Sequence, residues 1–349
     1  MFTGERYQKG GGRIIRIKRR TRWPSTVSIQ LTDEFRRLSF YTSVQMSDLI
    51  DEAMQDLIQK YIESGRYRPV KEEAPVYQNH TTFLCCAANK GGVGKTFTIS
   101  SFGHLLGKKK RVLLIDADPQ GNLSKKFGYI PDDNRGNKQQ LGDAIKEILE
   151  SPIGQWNNVE AFTLPTPYPK IDIIICTDTI STTRLMVNDA MIQQRNPYKE
   201  LFTAIDALQK YDMVLIDTRP SIEHDMVPII LAATKFFIPL TPDRDGIDGA
   251  NDTLKFITQM KGKSVPDADF FAGFYFNKVN ANTMLAHQLI PQFRELYPGF
   301  VLQSVTTIGE DVNKAQTDLT PVTDKYPSSR VSKDIAKVLK EVVERIGEK

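Results

Sequence analysis

The sequence has few cysteines and no long apolar run. Its 349 residues include only three cysteines, which all lie in apolar, strand-like stretches: Cys85, Cys86 and Cys176. Buried, reduced thiols fit that pattern better than disulfides or metal ligands do. No stretch approaches the roughly 20 apolar residues that span a bilayer, and the basic N-terminus lacks the apolar core of a signal peptide. We therefore expect a cytoplasmic protein.

Positive charge is concentrated at the N-terminus. The formal net charge is only +4, yet residues 1–25 carry eight basic residues against the single acid Glu5. We expect a basic flexible arm over 1–25. Such an arm suits a polyanion, either nucleic acid or an acidic membrane surface, and a solubilising tail is the alternative.

The next residues predict a small module of one strand and two helices over 26–63. Thr26 to Leu31 alternates polar and apolar residues, as a half-buried strand does. Asp33 and Ser47 stand where helix caps are expected, and apolar residues recur at helical spacing after the second cap. Residues 64–80, with two prolines and mixed charge, are interpreted as a linker.

This order of strand, helix and helix resembles ribbon-helix-helix proteins, which are intertwined dimers because about 40 residues cannot bury a core alone. The resemblance implies that two paired strands enter the DNA major groove. Base edges would be contacted by Thr26, Ser28 and Gln30 of the strand. Ser47, at the start of the second helix, would bind one phosphate. Further phosphates would be bound by the arm residues Arg19, Arg20 and Arg22. A dimerisation appendage that binds no DNA is the alternative.

A glycine-rich loop between an apolar run and a helical run is the most informative stretch. Cys85 to Thr96 reads C-C-A-A-N-K-G-G-V-G-K-T. In loops of this kind, backbone N–H groups surround phosphate oxygens at the positive end of a helix, a lysine adds charge and a hydroxyl reaches Mg²⁺. The residues expected to bind nucleotide are Gly91, Gly92, Val93, Gly94, Lys95, Thr96 and Phe97.

The loop departs from the generic pattern G-x-x-x-x-G-K-[ST], because Asn89 fills the first glycine position and Lys90 follows it. The form K-G-G-x-G-K-[ST] resembles the deviant Walker A box of the ParA/MinD family of ATPases. The resemblance implies ATP and Mg²⁺ as cofactors and an ATP-sandwich homodimer, in which the signature lysine Lys90 reaches the partner's nucleotide. Lys90 and Lys95 are then the implied catalytic lysines.

From Thr81 the chain alternates strand-like and helix-like runs. This predicts a P-loop α/β domain over 81–349, with a mostly parallel sheet and helices on both faces, in which ligands bind beyond the carboxyl ends of the strands. The predicted strands are Phe83–Ala88, Val112–Asp116, Ile171–Cys176, Met213–Asp217, Phe236–Leu240 and Phe270–Phe276.

Acidic residues at two strand ends complete the expected site. The stretch D-A-D-P-Q-G-N from Asp116 resembles a segment of ParA proteins, which implies that Asp118 positions the attacking water and that Asp116 supports the metal site. The run ending at Asp217 has the Walker B pattern, and this carboxylate would hold Mg²⁺ through a water, while the Thr96 hydroxyl reaches the same ion.

Later segments also resemble the family. Pro239 matches a strand proline near the nucleotide, and residues 307–315 match the segment that covers the base. Asn277 matches the residue that recognises adenine, although asparagine at a strand end is also a common turn residue. Arg219, where the family usually has proline, and Phe97, where a small hydroxyl residue is common, are departures.

The last predicted helix, Ser332 to Ile346, has an apolar face and several lysines elsewhere. Three interpretations are open: a helix docked on the core, a membrane-binding helix as in MinD-like proteins, or a lysine surface for DNA as in ParA-like proteins. Its apolar face lacks Phe and Trp, and two acids lie among its lysines, which argues against the membrane.

The leading hypothesis is a ParA-type ATPase that segregates plasmid or similar DNA. The family resemblance implies ATP-dependent dimerisation, nonspecific DNA binding, and slow hydrolysis stimulated by a centromere-binding, ParB-like partner. The N-terminal module would bind a specific partition site or operator, and the protein would associate with the nucleoid. The alternatives are a MinD-like positioning ATPase at a membrane and a transcriptional regulator that senses ATP.

Overall fold

The computed structural model describes most of the chain. The described residues are 5–10, 13–18, 81–130, 139–176, 179–220, 226–263, 269–280 and 283–347, with single positions and short stretches between 38 and 77. The chain divides into two compact units, Met1–Lys71 and Glu72–Lys349. The division falls inside the segment predicted as a linker.

The first unit begins with an antiparallel pair of strands, β1 (Glu5–Gly10) and β2 (Arg13–Lys18). This differs from the flexible arm predicted for 1–25. The second strand is rich in isoleucine, which favours extended backbone, and the two residues between the strands are both glycine, which suits a tight hairpin turn. A run of basic residues therefore does not by itself exclude strand structure.

The rest of the first unit is described only in part. The predicted strand Thr26 to Leu31 lies outside the described residues, as do the predicted DNA contacts Arg19, Arg20, Arg22 and Ser47. The second predicted helix is confirmed wherever the structure describes it, at Leu49, Ala53, Asp56, Leu57, Gln59, Lys60, Tyr61 and Glu63.

The second unit is built on a seven-stranded sheet with the order β5-β6-β4-β7-β3-β8-β9. Every pairing is parallel except that of the edge strand β5 with β6. The strands are β3 (Thr82–Cys86), β4 (Val112–Ala117), β5 (Leu164–Pro165), β6 (Ile171–Ile174), β7 (Met213–Thr218), β8 (Lys235–Leu240) and β9 (Phe271–Phe276). All six predicted strands are confirmed, and the predicted fold class is confirmed for this unit.

Helices cover both faces of the sheet. They are α1 (Lys95–Leu106), α2 (Asn122–Lys126), α3 (Leu141–Glu150), α4 (Val159–Phe162), α5 (Thr179–Ile192), α6 (Pro197–Ala207), α7 (Val227–Ala232), α8 (Arg244–Lys261), α9 (Met284–Leu296), α10 (Glu310–Thr317), α11 (Val322–Lys325) and α12 (Arg330–Arg345). The short elements α4 and β5 lie in 151–170, outside every predicted strand. Their four and two residues are too few to show a periodicity.

Each face of the sheet has its own apolar core. Side chains alternate across a strand, so in β3 Phe83 and Cys85 belong to one core and Leu84 and Cys86 to the other. All four are fully buried, as β3 lies inside the sheet with helices on both sides. The near-continuous apolar runs of the sequence follow from this two-sided burial.

The C-terminal helix α12 is docked on the core. Its side chains Ile335, Val338 and Val342 are fully buried, in the same core as Ile99 and Phe102 of α1. Ser329 caps the helix by accepting a hydrogen bond from the Ser332 amide (3.1 Å). Of the three interpretations of this helix, the docked one is confirmed. Within the described residues, no helix is long and apolar enough to cross a membrane.

Tyr77, which the sequence analysis assigned to the linker, is part of the second unit. Its ring is 5% exposed and lies 4.4 Å from the ring of Phe83, centroid to centroid. Its hydroxyl donates a hydrogen bond to the Ala232 carbonyl (2.6 Å), and burial raises its pKa. The predicted domain start at Thr81 is therefore too late by at least four residues. A single aromatic residue between Val76 and a polar stretch gives no periodicity that could have revealed this contact.

We expect graded losses of stability when this anchor is shortened. Tyr77→Phe removes the donor to Ala232 and costs about 1 to 2 kcal/mol, whereas Tyr77→Ala also leaves a cavity and costs about 3 to 5 kcal/mol. Urea unfolding of the full chain measures both. If the free energy of unfolding of Tyr77→Ala equals that of wild type, the Tyr77 side chain does not stabilise the second unit.

Candidate nucleotide-binding site

The parallel register places three functional segments side by side. Strand β7 lies between β3 and β4, and Asp217 is level with Cys86 on one side and with Asp116 on the other. Cys86 ends β3, so the glycine-rich loop leaves the sheet beside both aspartates. The Thr218 hydroxyl donates to the Cys86 carbonyl (2.8 Å) and fixes this junction. The predicted loop and carboxylates therefore meet at the carboxyl edge of the sheet.

The loop has a backbone that only glycine accommodates well at one position. Gly94, the residue before α1, has φ of +96°, in the region that side chains rarely adopt. A β-carbon at this position would also collide with the Asn277 side chain. The Asn277 amide donates to the Val93 carbonyl (2.7 Å) and so holds the loop closed against β9.

Lys95 begins α1 and is buried beneath the loop. Its Nζ donates to the carbonyls of Ala88 (3.3 Å) and Lys90 (3.4 Å), so the side chain lies back along the loop. Burial lowers the pKa of this ammonium group. The loop therefore already surrounds the Lys95 ammonium group. The positive charge of this group is available to a phosphate bound at the start of α1.

Two fully buried carboxyl groups have raised pKa values. Burial, reinforced by the charge of Asp116, raises the pKa of Asp217 to about 8. Asp116 has a pKa of about 6, raised by burial and partly offset by hydrogen bonds from Ser124, whose amide (2.8 Å) and hydroxyl (2.7 Å) both donate to it. The third carboxylate, Asp118, is 7% exposed. The charges of Asp217 and Asp118 act on the buried ammonium group of Lys95.

Asp217 differs from Asp116 in its partners. Both Asp217 oxygens are buried, and neither completes a hydrogen bond within the described part of the chain, although the nearby Thr96 hydroxyl favours the ionised form. A buried carboxylate without a partner is costly unless a cation compensates it. Oxygen donors are what Mg²⁺ prefers, so Asp217 and Thr96 fit a magnesium site. Asp116, whose oxygens already accept from Ser124 and Asp118, fits a supporting position behind it.

Beside the loop lies a cavity of about 720 Å³, within the usual size range of ligand pockets. It brings together many of the predicted residues, namely Gly92, Gly94, Lys95, Thr96, Phe97, Asp118 and Asn277. The segment predicted to cover the base also lines it, through Thr307, Ile308, Gly309, Val312, Asn313 and Ala315. Three residues of the loop are absent from the cavity lining that the structure describes: Lys90, Gly91 and Val93.

Two predicted nucleotide contacts have other surroundings. Pro239 is buried inside β8, level with Tyr275 of β9, and is absent from the described lining of the cavity. Asn277 lines the cavity, yet its amide is engaged: besides its bond to Val93, it accepts from the Lys278 amide (2.9 Å) and from the Thr306 hydroxyl. In this structure the Asn277 side chain positions the loop through its hydrogen bond to Val93. Its recognition of adenine stays a prediction.

Lys90 does not line the described cavity and is paired with the N-terminal end of helix α8. Its Nζ lies 2.7 Å from Oδ1 of Asp243, the residue that caps α8 by accepting from the Gly246 amide (2.7 Å). The Asn89 amide donates to the Thr253 hydroxyl (2.9 Å) of the same helix. Both members of the ion pair are partly exposed, at 32% and 43% of their side-chain surface.

The sequence analysis missed Asp243 and the basic end of the cavity. The cavity lining also includes Lys125, Lys126 and Lys278, none of which belongs to the quoted motifs. Lys126 is partly buried, which lowers its pKa, and it donates to the Thr320 carbonyl (3.3 Å). Asp243 could have been suspected as a helix cap, but its pairing with Lys90 spans 153 residues and no local pattern predicts it.

Comparisons with known proteins agree with this geometry. A family model for the AAA domain (AAA_31) matches residues 81–269. The chromosome partitioning protein ParA of Caulobacter vibrioides is 28% identical over 272 residues, which cover 76% of this chain and 96% of that protein. A virulence plasmid ParA family protein of Chlamydia psittaci is 26% identical, covering 75% and 95%.

Solved structures show the same fold. The ATP complex of Cyanothece McdA superposes with a TM-score of 0.63 at 20% identity, covering 77% of this chain and 98% of that one. Pyrococcus horikoshii MinD with Mg-ADP has a TM-score of 0.58 at 18% identity, covering 75% and 96%. The fold and the site thus define a P-loop ATPase with a mostly parallel sheet. The chain belongs to the AAA_31 family of AAA domains and is of the ParA type.

We expect Asp217→Asn to separate magnesium binding from folding. The variant should lose the Mg²⁺-dependent part of the thermal stabilisation by ATP, because the unpartnered carboxylate is gone. Without nucleotide it should be at least as stable as wild type at pH 8. The folded pKa of Asp217 is raised above the unfolded value, so its ionisation opposes folding and wild type loses stability as the pH rises from about 4 toward 8.

Scanning calorimetry between pH 5 and pH 8.5, with and without ATP and Mg²⁺, measures both effects. Asp252→Asn on the exposed surface of α8 is the matched control and should behave like wild type at every pH. A Mg²⁺-dependent shift retained by Asp217→Asn would contradict the assignment of the metal ligand.

Proposed function

We propose that this protein is a ParA-type DNA-partition ATPase whose two P-loop domains close around ATP. The single observation that carries the proposal is the position of Lys90. The residue belongs to the phosphate-binding loop, yet it does not line the described cavity of its own chain and is paired with Asp243. A lysine in that position is available to a nucleotide held by a second chain.

The other site residues take roles that their surroundings support. The Gly92 to Gly94 backbone and the Lys95 ammonium hold the phosphates at the start of α1. Thr96 and Asp217 would hold Mg²⁺, which would neutralise charge on the phosphate oxygens. Asp118 lines the cavity, and it orients the attacking water. Phosphoryl transfer needs mainly such positioning and charge neutralisation, which the partner's copy of Lys90 completes.

The first unit would bind a specific DNA site and hold the chain as a dimer before ATP binds. Leu38, Leu57 and Tyr61 support this, because they are 46%, 55% and 44% exposed in the single chain although they are large and apolar. Burial of such side chains in a second copy would be favourable. Thr26, Ser28 and Gln30 would read the bases, while Ser47, Arg19, Arg20 and Arg22 would contact phosphates.

In the cell, ATP closes the sandwich, the closed form coats nucleoid DNA, and hydrolysis releases it. Turnover is slow alone and is stimulated by a ParB-like partner bound at the centromere. Membrane positioning through the last helix is disfavoured by the burial of the α12 apolar face in the core. An ATP-sensing regulator differs from the proposal only in not needing hydrolysis for segregation.

Lys90→Ala should separate hydrolysis from specific DNA binding. We expect steady-state ATP turnover to fall at least about 100-fold, since a charge aimed at the transferring phosphate is lost. Binding of the operator or partition site should stay within about twofold, because it depends on the first unit. Lys255→Ala, an exposed lysine on α8, is the control and should turn over like wild type.

The same proteins are assayed on specific and random duplexes, with and without ATP, and by sedimentation. A monomer in the absence of nucleotide would contradict the dimeric first unit. Wild-type turnover in Lys90→Ala would overturn the sandwich, and intact cargo segregation with Lys95→Ala would favour the ATP-sensing regulator.

Asp243→Asn should ease closure of the sandwich. Asparagine still accepts the helix-cap hydrogen bond from Gly246 but no longer holds Lys90 by charge. A partly exposed ion pair is worth about 0.2 to 1 kcal/mol, so we expect the ATP concentration for half-maximal binding of random DNA to fall by up to about fivefold. Asp252→Asn, on the same helix, should leave that midpoint unchanged. A higher midpoint for Asp243→Asn would show that the pair supports closure instead of opposing it.

A further inference from the structure

The amino edge of the sheet carries a concentrated set of basic side chains. The run Lys108–Arg111 immediately precedes β4, while Lys170 precedes β6 and Lys210 lies just before β7. These three strands are neighbours, and Val112 is level with both Ile171 and Met213. The register therefore gathers six basic residues, here called the amino-edge patch.

Hydrogen bonds confirm that these residues lie together. The Lys170 carbonyl accepts a hydrogen bond from the Val112 amide (2.9 Å). The Nζ of Lys170 donates to the Lys109 carbonyl (3.2 Å). The Arg111 carbonyl accepts from the Asp212 amide (2.9 Å), directly before β7. The patch is thus fixed to the ends of rigid strands.

The patch is exposed and positively charged. All of its residues are exposed except Lys110, which is half-buried. Three carboxylates lie among them: Asp212 pairs with Arg111 (3.6 Å), Asp172 pairs with Lys210 (2.7 Å), and Glu160 is near Tyr211. When Lys110 is left out, five basic residues stand against these three acids in the described part of the chain, a net charge of +2. Within the described residues, Lys108 and Lys109 have no carboxylate at ion-pair distance.

The surroundings favour nucleic acid over a membrane. None of the large apolar side chains that the described residues expose lies in 108–111, 170–172 or 210–212. Binding at a lipid interface normally buries apolar side chains in addition to attracting charge. A patch that offers charge alone fits a ligand that is itself a regular array of charge.

We propose that the amino-edge patch binds the phosphate backbone of duplex DNA. Neighbouring strands are about 4.8 Å apart, so the starts of β6, β4 and β7 span about 10 Å. Duplex DNA carries one charge per about 1.7 Å of its axis when both strands are counted, so about six phosphates lie along that length, and only those on one side of the duplex face the patch. Lysine contacts of this kind carry no sequence information, as nonspecific coating of DNA requires.

The position of the patch connects it to ATP. This step rests on the proposed function, in which the nucleotide-dependent interface forms at the carboxyl edge of the sheet. The amino-edge patch lies at the opposite edge and stays exposed when two chains close. Because the proposed first unit already joins two chains, closure adds a fixed spacing and orientation of their two patches. A duplex that both patches can reach in that arrangement would be bound more tightly with ATP, without any change in the patch itself.

The test is charge reversal in the full chain, K108E/K109E/K110E, assayed with ATP on random duplex DNA over a range of salt concentrations. Each lost phosphate contact lowers the slope of log K against log salt by about 0.9, so we expect a slope shallower by at least about 2 to 3. The control K333E/K337E/K340E makes the same charge change on the exposed side of α12. Wild-type melting and unchanged ATP binding of the variant establish that it is folded.

A wild-type slope in the amino-edge variant would overturn the inference, whatever the α12 variant does, and would leave the proposed function standing. Absence of ATP-dependent DNA binding by the wild-type protein would overturn both. Vesicles of phosphatidylglycerol and phosphatidylcholine are the second probe. If charge reversal abolishes vesicle binding while DNA binding is unchanged, the patch binds lipid and the proposal is wrong.

Discussion

The burial of two neighbouring carboxyl groups between β4 and β7 is the constraint on which the site depends. The parallel register sets Asp116 level with Asp217, both fully buried, and Lys95 is the buried ammonium beside them. In the nucleotide-free chain this arrangement costs stability, and the raised pKa values of about 6 and about 8 express that cost. A sheet selected for stability alone would bury apolar side chains here. A divalent cation such as Mg²⁺ would offset that cost, while Lys95 would face the nucleotide phosphate that binds with it.

Binding therefore acts on a loop that other elements already hold in place. Asn277 fastens Val93 from β9, while Thr253 holds Asn89 and Asp243 holds Lys90 from α8. The first two contacts are buried or partly buried and fix the phosphate cradle, which lowers the entropy lost on binding. The third is partly exposed and weak, so Lys90 can leave it at low cost. A rigid cradle beside a releasable lysine is what a site completed by a second chain requires.

The sequence predicted those features that depend on local pattern. The six parallel strands and the loop motif follow from apolar runs and fixed spacing, because burial on both faces and phosphate binding each demand particular residues in series. The contacts that fasten the site join residues 153 to 184 positions apart, and no local pattern encodes them. Asn277 illustrates the difference: its place at a strand end was predictable, whereas its bond to Val93 was not. Neither the anchor Tyr77 nor the two-residue strand β5 could be predicted from the sequence, because one or two residues are too few to show a periodicity.

The sheet thus separates two kinds of chemistry by its two edges. Parallel strands place all their carboxyl ends at one edge, where the nucleotide cavity lies, and all their amino ends at the other, where the amino-edge patch lies. The positive charge of that patch would attract DNA phosphates to an edge about one strand length away from the cavity. A polyanion bound there would not compete with ATP for the lysines of the loop. The same polarity would let two chains meet at one edge while DNA lies along the other, so the proposed closure and the proposed DNA binding do not exclude each other.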